Sequence, residues 1–321
     1  MRRLFIRGIL GLAAATLLLA PRPAAAYPEK PIRIIVPVVA GGSTDLVARL
    51  FQMTIDQKKL LPQPLVIVNN GAAGGTVGTR MIKEAEPDGH TLGIWHMGLL
   101  TAAAMGVTDY DHTAFDLVAQ VGAIEIGLAV KSDSKIMSLK DLVAEAKARP
   151  GQVSAATNIG LLPHFVPLMF GREAGVEFRW VQAGGGAVRL RSVLGSHTEF
   201  SLFSVPEFVN YEPQGIRPIT VFADARHPVV PNVPTAKEAG YNFTFSEAIL
   251  WLAPKGTPPA RLDVMAKAIE AAMRDGDFKK RYDEQGIDPA YIPGGRLKAV
   301  LDQRMVGIKA VAAQVKPAQS N

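Results

Sequence analysis

The residues of this chain that could do chemistry are arranged to hold a ligand rather than to react with one. Three stretches share one design, an apolar run followed by glycines and then a helix start: Ala40-Gly41-Gly42-Ser43, Gly71 to Gly78, and Thr157-Asn158-Ile159-Gly160. The start of a helix exposes about four unpaired N–H groups and roughly half a unit of positive charge. Glycine removes the side chain that would keep an anion at a distance and permits the tight turn. Several such starts facing one crevice would bind an anion without any Arg or Lys. A single glycine-rich turn can equally serve packing alone; repetition of the design at one sheet edge favours the anion cradle.

Reactive constellations are missing from the text. The chain has no cysteine, which excludes thiol catalysis and cysteine metal sites. The histidines at 90, 96, 112, 164, 197 and 227 form neither H-x-H nor H-E-x-x-H, so no metal or other cofactor is expected. No G-x-S-x-G and no G-x-x-x-x-G-K-[ST] occurs. Gly71-x-x-Gly74-Gly75-x-x-Gly78 lacks the spacing of a dinucleotide fingerprint. Nothing assembles a nucleophile, a base and an orienting group.

The loops need strands and helices to aim them. Ile32 to Val36, Leu65 to Val68 and Leu92 to Trp95 read as short buried strands, and Leu46 to Phe51 has helical composition with Ser43, Thr44 or Asp45 available as its cap. Further strands are expected at Ile126 to Val130, Val153 to Ala156, Phe178 to Gln182, Glu199 to Phe203, Ile219 to Phe222 and Ile249 to Ala253. Helices are expected from Ser138 (a capping pair with Asp141), around His164 to Phe170, at Ala187 to Leu194 after Gly184-Gly185-Gly186, and at Pro259 to Arg274, Phe278 to Glu284 and Gly294 to Val315. Alternation of this kind predicts a parallel α/β sheet, whose ligands sit at the strand ends. A polar tail, Lys316 to Asn321, is expected to fray.

The first 26 residues set the compartment. Arg2, Arg3 and Arg7 precede an apolar run from Ile9 to Ala20, and Ala24-Ala25-Ala26 forms a small-residue cleavage site before Tyr27. This is the layout of a cleaved secretory signal, too short to span a bilayer comfortably; the early Arg pair also hints at twin-arginine export, and the general route is preferred. Its loss lowers Lys plus Arg from 35 to 31 against 29 acids, so the net charge falls from +6 to about +2 and gives no case for nucleic acid. With no disulfide available, a large apolar core must hold the fold, and 48% hydrophobic residues can supply it.

Several phrases together resemble one family. "YPEKPIRIIVPVVAGGSTDLVAR", "VIVNNGAAGGTVGTRMI", "EPDGHTLGI", "PNVPTAKEAGY" and "LAPKGTPPARL" are similar to the tripartite tricarboxylate transporter receptors, also called Bug proteins, from Tyr27 nearly to Arg296. The resemblance implies a type 2 periplasmic binding protein fold, α/β in class: two α/β lobes joined by two crossover strands, with a ligand cleft between them. Lobe one is then 27–127 plus 249–321 and lobe two 128–248. It also implies a monomeric, periplasmic, non-enzymatic protein that captures a small organic carboxylate for membrane transporter subunits. A sensor kinase as partner, or an enzyme acting on a carboxylic acid, are the rival readings.

By the same resemblance the first grip maps to Val38, Val39, Ala40, Gly41, Gly42, Ser43 and Asp45, with Gly74, Gly75 and Thr76 as the adjoining wall. Asp45 cannot face a carboxylate while ionised; a helix-capping or water-holding role suits it better. The second-lobe loop carries Thr157, Asn158, Gly160 and His164, but Leu161 and Leu162 replace the family's small polar residues. Gln182 stands where tyrosine is common and Ser204 where aspartate is common. These departures imply a more apolar pocket and argue against amino acids as ligands. His164 is expected to fix its loop. Trp95 and His96 end the third strand at the same edge; there Trp95 either stacks on a flat ligand or joins the core, and His96 either donates to a second polar group or is solvated.

Overall fold

The computed structural model describes residues 27–315. The export signal at 1–26 and the tail at 316–321 lie outside the described residues.

The β-branched runs form the strands that their composition favours. β1 (Ile32–Val36) is buried at Ile32, Ile34, Ile35 and Val36. It pairs in parallel with β2 (Leu65–Asn69) and β3 (Thr91–His96). Helices α1 (Ser43–Gln57) and α2 (Thr76–Lys83) make the crossovers. Beyond β3 lies β9 (Ser246–Pro254), antiparallel to β3 and to β4 (Phe115–Lys131). The far end of β4 enters a second set of strands. There it pairs antiparallel with β7 (Phe200–Ser204) and β8 (Ile216–Val221), and β7 leads to β5 (Ser154–Thr157) and β6 (Arg179–Gln182) in parallel. The order β2-β1-β3-β9-β4-β7-β5-β6, with β8 and the short β10 (Ile292–Pro293) each pairing with β4 off this path, makes one ten-stranded sheet carrying two α/β lobes.

Helix α3 (Gly98–Met105) follows β3, α4 (Leu139–Ala148) precedes β5, and α5 (Leu162–Ala174), α6 (Gly186–Leu194) and α7 (Val205–Tyr211) follow β5, β6 and β7. The chain then returns through β9 to α8 (Pro259–Arg274), α9 (Gly276–Glu284), the short β10 (Ile292–Pro293) and α10 (Gly294–Val315), which packs on β4 and α3. Ser138 caps α4 as expected: its Oγ accepts from the Asp141 N–H at 3.2 Å, and Asp141 accepts from the Met137 N–H at 3.0 Å.

Two expectations change. The sheet is mixed rather than parallel, because β4 and β9 run against their neighbours. β4 is also 17 residues long, far beyond Ile126 to Val130. Its first half contains Asp116 and Gln120, which break the apolar pattern. Each has a partner: Asp116 accepts from the Gly256 and Thr257 amides, and Gln120 donates to the Ala290 carbonyl.

Aromatic rings fill both lobes in place of disulfides. Phe51 meets Trp251 edge to face at 5.5 Å and Phe278 at 4.7 Å; in the other lobe Phe222 meets Phe243 at 4.8 Å. Full burial of a ring the size of Phe contributes about 1.5–3 kcal/mol.

Candidate functional site

Parallel pairing puts the ends of β1, β2 and β3 at one edge, and the second lobe presents the ends of β5, β6 and β7 opposite them. The cavity between is lined from both sides, by Val38, Gly42 and Gly75 on one and by Leu161, Gly185 and Ser204 on the other. Six helix starts surround it. Four, those of α1, α2, α5 and α6, have Gly42, Gly75, Leu161 and Gly185 at the cap position and no side-chain cap. The α1 and α6 starts leave their first N–H groups for a ligand or water; in α2 the Thr76 N–H already donates to the Ala72 and Ala73 carbonyls, and in α5 Pro163 has no N–H and the His164 N–H donates to the Leu161 carbonyl. The other two of the six are closed. The Gly98 N–H at the start of α3 donates to His96 Nδ1 at 2.9 Å, and α7 carries a reciprocal capping box between Ser204 and Glu207.

Of the sequence-derived residues, Val38, Val39, Gly42, Ser43, Gly74, Gly75, Thr76, His96, Asn158 and Ser204 line this cavity. Trp95, Leu161 and Leu162 line it too. Trp95 joins the core, one of its two readings, at the edge of the cavity. It is 5% exposed, and its ring lies so close to Gly75 that a β-carbon there would come within 2.6 Å of it. With φ at +95°, Gly75 is a position that only glycine fills without strain.

Ala40, Gly41 and Asp45 do not line the cavity; they border an adjoining groove with Arg49 and Asn210. The α1 cap is Gly42, not Ser43, Thr44 or Asp45, which corrects that expectation. Asp45 instead reaches back from the first turn, accepting from the Gly41 N–H, Asn69 Nδ2 and Arg49 Nε, each at 2.9 Å. Burial pushes its carboxyl up, but the bonds from Arg49, Gly41 and Asn69 outweigh this and hold it below the usual carboxylate range. It pins the glycine loop to β2.

Thr157, Gly160, His164 and Gln182 stand behind the cavity wall rather than in it. Gln182 Oε1 accepts from the Ile159 N–H at 2.8 Å and its Nε2 donates to Asn158 at 3.3 Å. His164 Nδ1 accepts from the Gly160 N–H at 3.1 Å, and its ring meets Trp180 edge to face at 4.8 Å. Burial pushes the His164 imidazole down to about 4, so it is neutral at ordinary pH and holds its loop as expected. Thr157 is fully buried, and its hydroxyl has no partner among the described residues.

A pH dependence follows. Because the folded pKa lies below the unfolded value of about 6.5, the unfolded chain takes up the proton first. The stability contributed by neutral His164 is fully present above about pH 6.5 and declines as pH falls toward about 4. Thermal melts between pH 4 and 7 should show this slope. His164→Asn, which can still accept from Gly160 but cannot charge, should flatten part of it; an unchanged slope would assign the effect elsewhere.

Sequence reasoning missed three charged residues in the cleft. Arg189 corrects the expectation of a cradle without basic side chains: it lines the cavity, 7% exposed. Its donors are largely engaged, Nε with the Leu202 carbonyl at 3.3 Å and Nη1 with the Gly184 carbonyl at 3.1 Å, while Nη2 lies 4.0 Å from Glu207. Glu207 lines the cavity as well, its Oε2 accepting from the Ser204 N–H at 2.9 Å. The third is Glu247 on β9, whose Oε1 lies 2.6 Å from His96 Nδ1. The spacing of Ser204 and Glu207 was a readable signal for the capping box, and Gly184-Gly185-Gly186 for the α6 start. Nothing local marks Glu247 or Arg189.

No group of three or more His, Cys, Asp or Glu suited to a metal occurs among the described residues, and none of their helices is long and apolar enough to cross a membrane.

Known proteins agree with this architecture. The description "Tripartite tricarboxylate transporter family receptor" matches residues 47–311. The chain is 30% identical over 295 residues to BugT of Bordetella pertussis, covering 88% of each. It is 28% identical over 299 residues to the UPF0065 protein in the gbd 5' region of Cupriavidus necator, covering 91% of this chain and 90% of that one. Among solved structures, the periplasmic binding protein BugD superposes with a TM-score of 0.82 at 26% identity, covering 90% of this chain and 98% of that one. MatC of Rhodopseudomonas palustris, solved with bound malate, superposes with a TM-score of 0.81 at 25% identity, covering 89% and 100%. The chain belongs to the tripartite tricarboxylate transporter family of receptors, periplasmic solute-binding proteins that include the Bug proteins.

Proposed function

We propose that this receptor captures a small organic carboxylate between its two lobes, performs no chemistry on it, and presents the closed form to a membrane transporter. One observation carries the reading: four helix starts without side-chain caps meet at one interlobe cavity. Each offers partial positive charge to an anion, and α1 and α6 add oriented free N–H donors. The one guanidinium present is spoken for by two carbonyls and a nearby carboxylate. A relative that holds malate supports the ligand class.

The lobes are residues 27–127 with 249–315 and residues 128–248, with the hinge where β4 and the return through β9 connect them. Residues 1–26 direct export and are cleaved. Ligand binding shifts an open–closed equilibrium, and the closed form is what the transporter recognises. The cavity wall made by Trp95, Leu161, Leu162 and Leu202 suits a ligand with an apolar body.

A thermal-shift screen with aliphatic, aromatic, di- and tricarboxylates tests this. A ligand at about one hundred times its Kd adds about 2.7 kcal/mol. Aromatic or apolar monocarboxylates should outrank citrate. A screen led by citrate defeats the apolar-body reading, and one in which no carboxylate stabilises the protein defeats the function.

A further inference from the structure

The cavity has a second polar pole, made by His96 and Glu247, that the anion cradle does not explain. Glu247 is the second residue of β9, opposite Ile124 of β4, and is 6% exposed. Its Oε1 lies 2.6 Å from His96 Nδ1, and both residues line the cavity. The imidazole stacks on Trp95 with centroids 3.8 Å apart, which fixes its plane, and the same Nδ1 accepts from the Gly98 N–H at 2.9 Å. Glu247 Oε2 and His96 Nε2 make no hydrogen bond among the described residues. Both residues line the cavity, where a ligand's donor and acceptor can take the place of water.

The polarity of this pole follows from the Gly98 bond: Nδ1 accepts that N–H, so the ring carries its proton on Nε2. The pole therefore offers one donor, His96 Nε2–H, and one acceptor, Glu247 Oε2. A hydroxyl or a primary carboxamide matches both at once. An ammonium has no lone pair for Nε2–H, and a second carboxylate would face the Glu247 oxygen without a proton to give.

We propose that Glu247 and His96 select, among small carboxylates, those that carry a neutral hydroxyl or carboxamide at the end away from the carboxylate, and discriminate against dicarboxylates. This rests on the carboxylate end being held by the helix starts.

Calorimetric titration of the mature protein with two matched series tests it: butyrate, 4-hydroxybutyrate, succinamate and succinate, and benzoate, 4-hydroxybenzoate, 4-carbamoylbenzoate and terephthalate. In at least one series the hydroxyl or carboxamide member should bind about tenfold or more tighter than both the unsubstituted acid and the diacid. Glu247→Gln, which offers an N–H in place of the acceptor, should shrink the preference over the diacid by about tenfold. A parent acid or diacid binding as tightly as the substituted acids overturns the inference, as does a Glu247→Gln protein with the wild-type ranking. The wild-type ranking decides the matter even where the variant fails to fold. Methyl esters of the preferred acids separate the two claims. Esters that bind as well as acids, or a complete lack of binding, sink the carboxylate reading and this inference with it; acids that bind without the ranking sink this inference alone.

Discussion

Gly42→Phe should abolish carboxylate binding while leaving the unliganded protein as stable as the wild type. Gly42 caps α1 with φ −82° and ψ 165°, a conformation open to any residue. A β-carbon there would meet Val38 Cγ2 and the Val39 carbonyl, each at 3.8 Å, which is ordinary contact. The fold therefore does not need this glycine. The cleft does, because Gly42 lines the cavity beside the uncapped N–H groups of α1, and a phenyl ring would cover them. The expected loss is at least about a hundredfold, or about 2.7 kcal/mol of binding free energy. The melting curve without ligand should move by no more than a surface substitution does, about 0.5 kcal/mol. Gly75 could not serve this purpose, since its φ of +95° and a β-carbon 2.5 Å from the Pro37 carbonyl would disturb the fold itself. Calorimetry and a thermal melt on the same preparation read both quantities. An unchanged affinity would remove the α1 start from the site.

What the sequence disclosed follows the range over which each feature is determined. Glycine next to a helix start is a local arrangement, so the loops at Gly42, Gly75 and Gly185 were visible as text. The strand runs at Ile32 to Val36 and Leu65 to Val68 were visible for the same reason. Antiparallel β9 was not, because its partners in β3 and β4 lie more than a hundred residues away and pairing direction leaves no mark in composition. Helix α3, Gly-Leu-Leu-Thr-Ala-Ala-Ala-Met, escaped notice because it is buried on nearly every side and so lacks an amphipathic period. Arg189 and Glu247 carry no local mark, because only the fold brings them to the cleft. Asp45 shows the converse: elementary charge logic excluded it as a carboxylate ligand, and it proves to be the residue that ties the first glycine loop together.

Closure of the lobes can be tested apart from ligand contact. Gly185→Leu should leave stability intact and weaken binding by about tenfold or more, about 1.4 kcal/mol. Gly185 caps α6 with φ −60° and ψ 172°, so a side chain adds no backbone strain. A β-carbon there would meet a single neighbour within 4 Å, Val39 Cγ2 of the opposite lobe, at 3.5 Å. Alanine therefore fits the closed form, whereas the branched end of leucine must push the start of α6 away from the loop after β1. The loss should grow with side-chain size, small for Gly185→Ala and large for Gly185→Leu. Steric cover of the α6 amides could also weaken binding, so the decisive measurement is one of shape. Small-angle scattering should show the wild type and the alanine variant contracting on ligand addition and the leucine variant remaining extended. A leucine variant that contracts like the wild type while binding weakly would place the defect at the amides; one that contracts and binds normally would mean that Val39 and Gly185 do not meet when the cleft shuts.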